Sequence, residues 1–272
     1  MKHLQKAYVF LIFGILYIPI LTLILFSFNT ANSTAVFEGF GLRWYRELFN
    51  SPETFTALRN TLILAVLSAL LSTVIGTAAA AGLYRMRKKL LKNTIISVTN
   101  IPMMNPDIVT GMSMMLFFVA VAAIVGISYN DMGFTAMLIA HTTFCLPYVI
   151  LSVLPRINEL GHSLSEAALD LGCTPLQSFF KVELPNIMPG VLSGFIMAFT
   201  LSLDDFVISY FVGSSNFQTL PLLIYSMTKK KVTPDMYALS TLIIVAIFVL
   251  LIVSNVRSSK EDERRKRRAQ KK

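Results

Sequence analysis

Residues 165–190 read SEAALDLGCTPLQSFFKVELPNIMPG, a polar stretch set between two long apolar runs. Ser165 followed by Glu166, Ala167, Ala168 and Leu169 favours a helix start, Gly172 a helix stop, and Pro175 the opening of a second short helix reaching to Leu184. The expected element is a helix-turn-helix, too short and too polar to cross a bilayer. Held between segments that do cross one, it faces a soluble partner.

Around this stretch the chain is unlike a soluble domain: 54% of its 272 residues are hydrophobic, 14% are charged, and the mean hydropathy is +0.64. Crossing the hydrocarbon core takes about 20 apolar residues, and six regions qualify, near 7–28, 60–84, 95–125, 134–154, 188–212 and 236–256. The expected fold class is all-α, a polytopic membrane protein with six transmembrane helices in one domain over residues 1–256. A polar loop of about 156–187, an outer loop of about 29–59 and a disordered basic tail at 257–272 complete it. Lys2 and Lys6 precede the first apolar run as in a signal peptide. Tyr8 to Phe28 is too long for a signal core and lacks a small-x-small cleavage site, so a retained helix is expected.

Basic residues flanking spanning helices stay cytoplasmic. With the N-terminus inside, the cytoplasmic side holds Lys2, Lys6, the Arg85–Lys92 cluster, Arg156, Lys181 and the tail. Only Arg43, Arg46, Arg59 and Lys229 to Lys231 of the 24 basic residues fall outside. Both termini and the Glu166 loop are thus expected in the cytoplasm. The tail RSSKEDERRKRRAQKK follows a spanning helix directly, which favours an anchor on anionic lipid over a nucleic-acid arm.

Cys145 and Cys173 have no paired or metal-binding spacing and read as free thiols. His141 has no second His or Cys at ligand spacing, so it reads as a hydrogen-bonded packing residue, and no metal site is expected. No Gly-x4-Gly-Lys-Ser/Thr loop occurs, so ATP would have to be used by another subunit.

Three acids fall inside apolar runs, Asp107, Asp204 and Asp205, and no Lys or Arg lies in any run to pair with them. Each costs about 2.5–3.5 kcal/mol at a helix centre, which makes function the default reading. Uncompensated carboxylates call for a cation: protons, metal ions or an organic polycation. Pro102 and Pro106 interrupt the third run just before Asp107, which stands about halfway along it on a face shared with Asn100, Met104, Gly111 and Met114. Asp204 and Asp205 point about 100° apart on a continuous helix. Asp205 falls on a small-residue stripe through Gly194, Ala198, Ser202, Ser209 and Gly213, which can line a wet path or seat a neighbouring helix. On this reading Asp205 faces the path and Asp204 lies nearer a subunit interface. In the outer loop, Trp44 belongs either to an interfacial helix or to a face that holds an ammonium group by cation–π attraction.

Glu166-Ala167-Ala168, Gly172, Val182, Leu184 and Pro185 follow the EAA spacing, with Val182 where Ile is usual, and the chain resembles the permeases of ABC importers. The resemblance implies a MetI-like permease fold in a bacterial inner membrane. It also implies a coupling loop seated on an ATPase subunit, with a second permease, two ATPase copies and an external binding protein as partners. Asn105 to Val109, Phe144 to Pro147, Leu203 to Val207 and Leu220 to Met227 resemble permeases of spermidine/putrescine importers, which implies passage of polyamine by Trp44, Asp107, Asp204 and Asp205. Rival readings are an importer permease for another solute, a passive cation channel and an intramembrane enzyme. An anion would call for basic groups in the runs, a channel leaves the coupling loop unexplained, and no catalytic pairing is present.

Overall fold

The computed structural model describes residues 2–31, 36–161, 163–214, 217–230, 235–245 and 248. The 257–272 tail and most of the sixth apolar run beyond 245 lie outside them. In chain order the helices are α1 (Lys2–Ser27), α2 (Arg43–Asn50), α3 (Pro52–Arg85), α4 (Lys89–Met104), α5 (Asp107–Val125) and α6 (Tyr129–Leu160). They continue with α7 (Ser163–Asp170), α8 (Pro175–Ser178), a π-helical turn (Phe179–Glu183), α9 (Leu184–Asp204), α10 (Val207–Val212), α11 (Leu220–Lys230) and α12 (Asp235–Val245). Among the described residues extended pairing is limited to one bridge, Asn29 with Phe40.

Among the described residues five stretches are long and apolar enough to cross a membrane: Tyr8–Ser27, Pro52–Arg85, Asp107–Val125, Tyr129–Leu160 and Pro175–Asp204. Two expected runs are redrawn. The third is not continuous: Pro106 has no N–H to give and forces Asn105 into extended backbone (φ −78°, ψ 146°), so α4 ends at Met104 and α5 starts at Asp107. The single face assumed through Asn100, Met104 and Asp107 is therefore cut in two. The fifth run starts earlier than expected, because α8 passes through the π turn directly into α9, and it stops at Asp204.

The chain divides into two compact units, one of Met1–Thr56 with Leu223–Lys272, the other Ala57–Leu222. In the first, Asn29 organises the segment after α1. Its Oδ1 accepts the N–H of Ala31 and Glu38, and its Nδ2 donates to the Val36 carbonyl. Helix α2 buries Trp44 and Leu48, and Tyr45 Oη lies 2.7 Å from Ser27 Oγ.

In the second unit α6 is the central helix, with Ala136, Met137, Ala140, His141, Cys145, Val149 and Val153 buried. Close approach to it is made by glycine. A Cβ at Gly76 of α3 would lie 2.7 Å from Val149 Cγ1, and one at Gly194 of α9 3.3 Å from the same atom. Gly190, Gly194, Ala198 and Ser202 are all buried, one turn apart along α9, so the small-residue stripe here seats a helix rather than lining a wet path.

Gly76→Val is therefore expected to overpack the α3–α6 contact and cost about 1–3 kcal/mol. It should lower the thermal midpoint of the purified protein, and Val149→Ala in the same chain should restore part of the loss.

Candidate functional site

The 165–190 stretch folds as capped short helices. Helix α7 ends in a complete Schellman arrangement: Cys173 N–H donates to the Ala168 carbonyl at 3.1 Å, Gly172 N–H to that of Leu169 at 2.9 Å, and Gly172 has φ +88°. Pro175 then opens α8 as expected. Thr174 Oγ1 accepts the Gln177 N–H and Gln177 Oε1 accepts the Thr174 N–H, a reciprocal capping box. The helix does not end near Leu184, because the π turn carries it on into α9.

That turn points Glu183 inward. Its carboxylate is buried, with Arg85 Nη2 2.9 Å from Oε1 and 3.0 Å from Oε2, and Ser165 Oγ donates to Oε1 at 2.8 Å. The end of α3, the α7 helix and the start of α9 thus meet on one acid. Sequence reasoning passed over Glu183. The available signal was an acid at the head of one span and an Arg at the foot of another, both on the side assigned to the cytoplasm.

Of the residues expected to couple, Glu166, Ala167, Gly172 and Pro185 are exposed, Val182 and Leu184 half-buried, and Ala168 buried. Beside them Leu171, Leu176 and Phe180 are exposed at 86%, 72% and 60%. The loop thus leaves three large apolar side chains uncovered within this chain.

The three acids stand at helix ends, not at helix centres. Asp107 is exposed and is the first residue of α5, where the positive end of the helix dipole favours a carboxylate. Asp205 is the hinge between α9 and α10. Its oxygens accept the N–H of Ile208 at 3.3 Å and of Ser209 at 2.8 Å, and its side chain is only 9% exposed. Asp204 is the last residue of α9 and is exposed, with no ion-pair partner among the described residues. Within this chain Asp205 turns inward and Asp204 outward, where the sequence reading set Asp205 toward the path and Asp204 nearer a subunit interface. The cause is the break after Asp204, which ends the continuous helix on which the 100° argument rested.

His141 is buried and hydrogen-bonded, as expected of a packing residue. Trp44 is buried, and the Arg43 guanidinium lies 4.9 Å from its ring centroid. A cation of this chain already occupies that ring, which fits the interfacial-helix reading of the segment.

Residues 72–258 match the family described as "Binding-protein-dependent transport system inner membrane component". The chain belongs to this family. The permease is 40% identical over 238 residues to the putrescine transport system permease protein PotI of Escherichia coli K12, covering 88% of this chain and 84% of PotI. It is 38% identical over 259 residues to the spermidine/putrescine transport system permease protein PotC of Haemophilus influenzae, covering 95% and 98%. Its fold is similar to a chain of a bacterial ABC transporter that imports alginate, with TM-score 0.74, 16% identity and coverage of 95% and 96%. A chain of the MetNI methionine transporter aligns with TM-score 0.61 and 22% identity, covering 75% of the permease and 95% of that chain.

Because Glu183 is buried with one cationic partner, removing Arg85 leaves its charge uncompensated. Arg85→Leu is expected to cost about 1–3 kcal/mol, less than for a fully buried pair because the Arg85 side chain is 45% exposed. Arg85→Leu with Glu183→Leu should be more stable than Arg85→Leu alone in thermal unfolding of the purified permease.

Proposed function

We propose that this permease forms half of an ATP-driven polyamine import path, taking spermidine or putrescine from an external binding protein. The observation that carries the reading is the exposed Asp204 carboxylate at the C-terminal end of α9. The last carbonyls of a helix and its negative dipole end add to that charge, so the position repels anions and attracts an ammonium group. Discontinuous helices whose C-terminal ends meet cations recur in transporter binding sites. Asp107, exposed at the α4–α5 break, supplies a second carboxylate for a multiply charged amine. Trp44 enters through the resemblance alone. The kinship with PotI and PotC supports the substrate class.

The 165–190 loop is the coupling element in this proposal. Glu166, Ala167, Ala168, Gly172, Val182, Leu184 and Pro185 shape it, and Leu171, Leu176 and Phe180 give an ATPase subunit an apolar surface to grip. ATP hydrolysis belongs to two copies of that partner, with a second permease completing the path and both termini in the cytoplasm.

Reconstituted with its partners in liposomes, the permease should take up labelled spermidine or putrescine only when ATP is supplied. Asp204→Asn should cut uptake at sub-saturating polyamine by roughly tenfold or more, the factor that follows from one lost charge-assisted contact. Unchanged uptake in that variant would refute the assignment. Glu166→Lys should lower polyamine-stimulated ATP hydrolysis while binding-protein docking persists.

A further inference from the structure

The break between α9 and α10 falls at Asp205 and Phe206 without a proline or glycine to cause it. Something other than local sequence must hold it. Within the hydrocarbon region the amides freed at a break have no water to turn to, and the Asp205 carboxylate satisfies two of them. That carboxylate is itself approached by His141 of α6, whose Nε2 lies 3.5 Å from Asp205 Oδ2 and 3.1 Å from Ser209 Oγ. The other ring nitrogen, Nδ1, lies 2.7 Å from Ser202 Oγ, and Ser68 of α3 donates to that same oxygen at 2.9 Å.

One imidazole therefore touches the chain on both sides of the break, Ser202 before it and Asp205 and Ser209 after it. An imidazole with its proton on Nε2 satisfies the set. Ser68 donates to Ser202, Ser202 to Nδ1, and Nε2–H is shared by Ser209 Oγ and Asp205. The His141 ring is fully enclosed, and Ser68, Ser202 and Ser209 are all buried.

We propose that His141 is a positioning residue for transport. It clamps the α9–α10 break in one geometry and keeps Asp205 turned inward as a cap, so that Asp204 is the carboxylate presented to the cation. The clamp acts through Asp205, and His141 does not touch substrate. This rests on the polyamine reading only for the identity of the cation.

The test uses the whole importer in lipid nanodiscs, with His141→Leu and the more conservative His141→Gln. Hydrogen–deuterium exchange is followed over α3, α6 and residues 203–212, and polyamine uptake is measured as KM and maximal rate. In His141→Leu, amide exchange at 206–210 should rise by roughly tenfold, as expected when a hydrogen bond to a charged group is lost. Exchange in α3 should hold, the KM for spermidine should rise more than the maximal rate falls, and His141→Gln should recover part of both changes. Unchanged exchange at 206–210, or equal acceleration throughout α3, α6 and α9, would overturn the clamp. An unchanged KM beside faster local exchange would overturn its link to Asp204. Faster local exchange in an importer whose unaltered form moves no polyamine would sink the substrate reading and leave the clamp standing.

Discussion

A helix that stops inside a membrane must find partners for its freed backbone groups without water, and an acid at the stop adds a charge to the same problem. Most of what is distinctive in this permease answers that constraint. At Pro106 the first amide that would need a partner is absent, and Asp107 takes the favourable N-terminal end of α5. At Asp205 the acid itself becomes the partner of the α10 amides, and His141 packs behind it. Asp204 alone is left at the unfavourable end of a helix, exposed. An acid that the fold does not neutralise is one that a visiting cation can.

The end proposed for coupling obeys the same rule with different groups. The π turn before α9 widens the helix by one residue, and such turns gather at functional positions. Here it turns Glu183 away from solvent and onto Arg85 and Ser165. A force applied to the exposed Leu176 and Phe180 reaches α9 along one unbroken helical segment, because α8, the π turn and α9 are continuous. The same helix carries Asp204 at its other end, so the proposed docking surface and the candidate cation contact are joined by one rod.

Much of the loop was legible from residue types alone. Gly172 and Pro175 act through backbone preferences that need no tertiary context, and the observed φ of +88° at Gly172 is of a kind that side-chain-bearing residues rarely adopt. The five long apolar helices among the described residues were legible from length and composition, though not the bounds of the third and fifth runs. The break at Asp205 was not, since nothing in Leu203 to Val207 forbids a helix and its partner His141 lies 61 and 68 residues from the serines it joins. Periodicity argued on an unbroken helix accordingly did not foresee that Asp205 is the acid enclosed within this chain. Glu183 was missed for a related reason: its burial comes from a widened turn and from an Arg85 that is 98 residues away. The role of the small stripe on α9 was left open between path and packing, and Val149, enclosed between Gly76 and Gly194, decides for packing.

Asp204, and not Asp205, is the carboxylate this chain leaves open to a cation. Single cysteines at successive positions from 194 to 213, in a chain lacking Cys145 and Cys173, can be probed with a water-soluble thiol reagent in the assembled importer. A cysteine at 204 is expected to react and to be protected by spermidine, while cysteines at 198, 202 and 209 stay unreactive. Reaction and spermidine protection centred on 198, 202 and 209, with 204 inert, would contradict it.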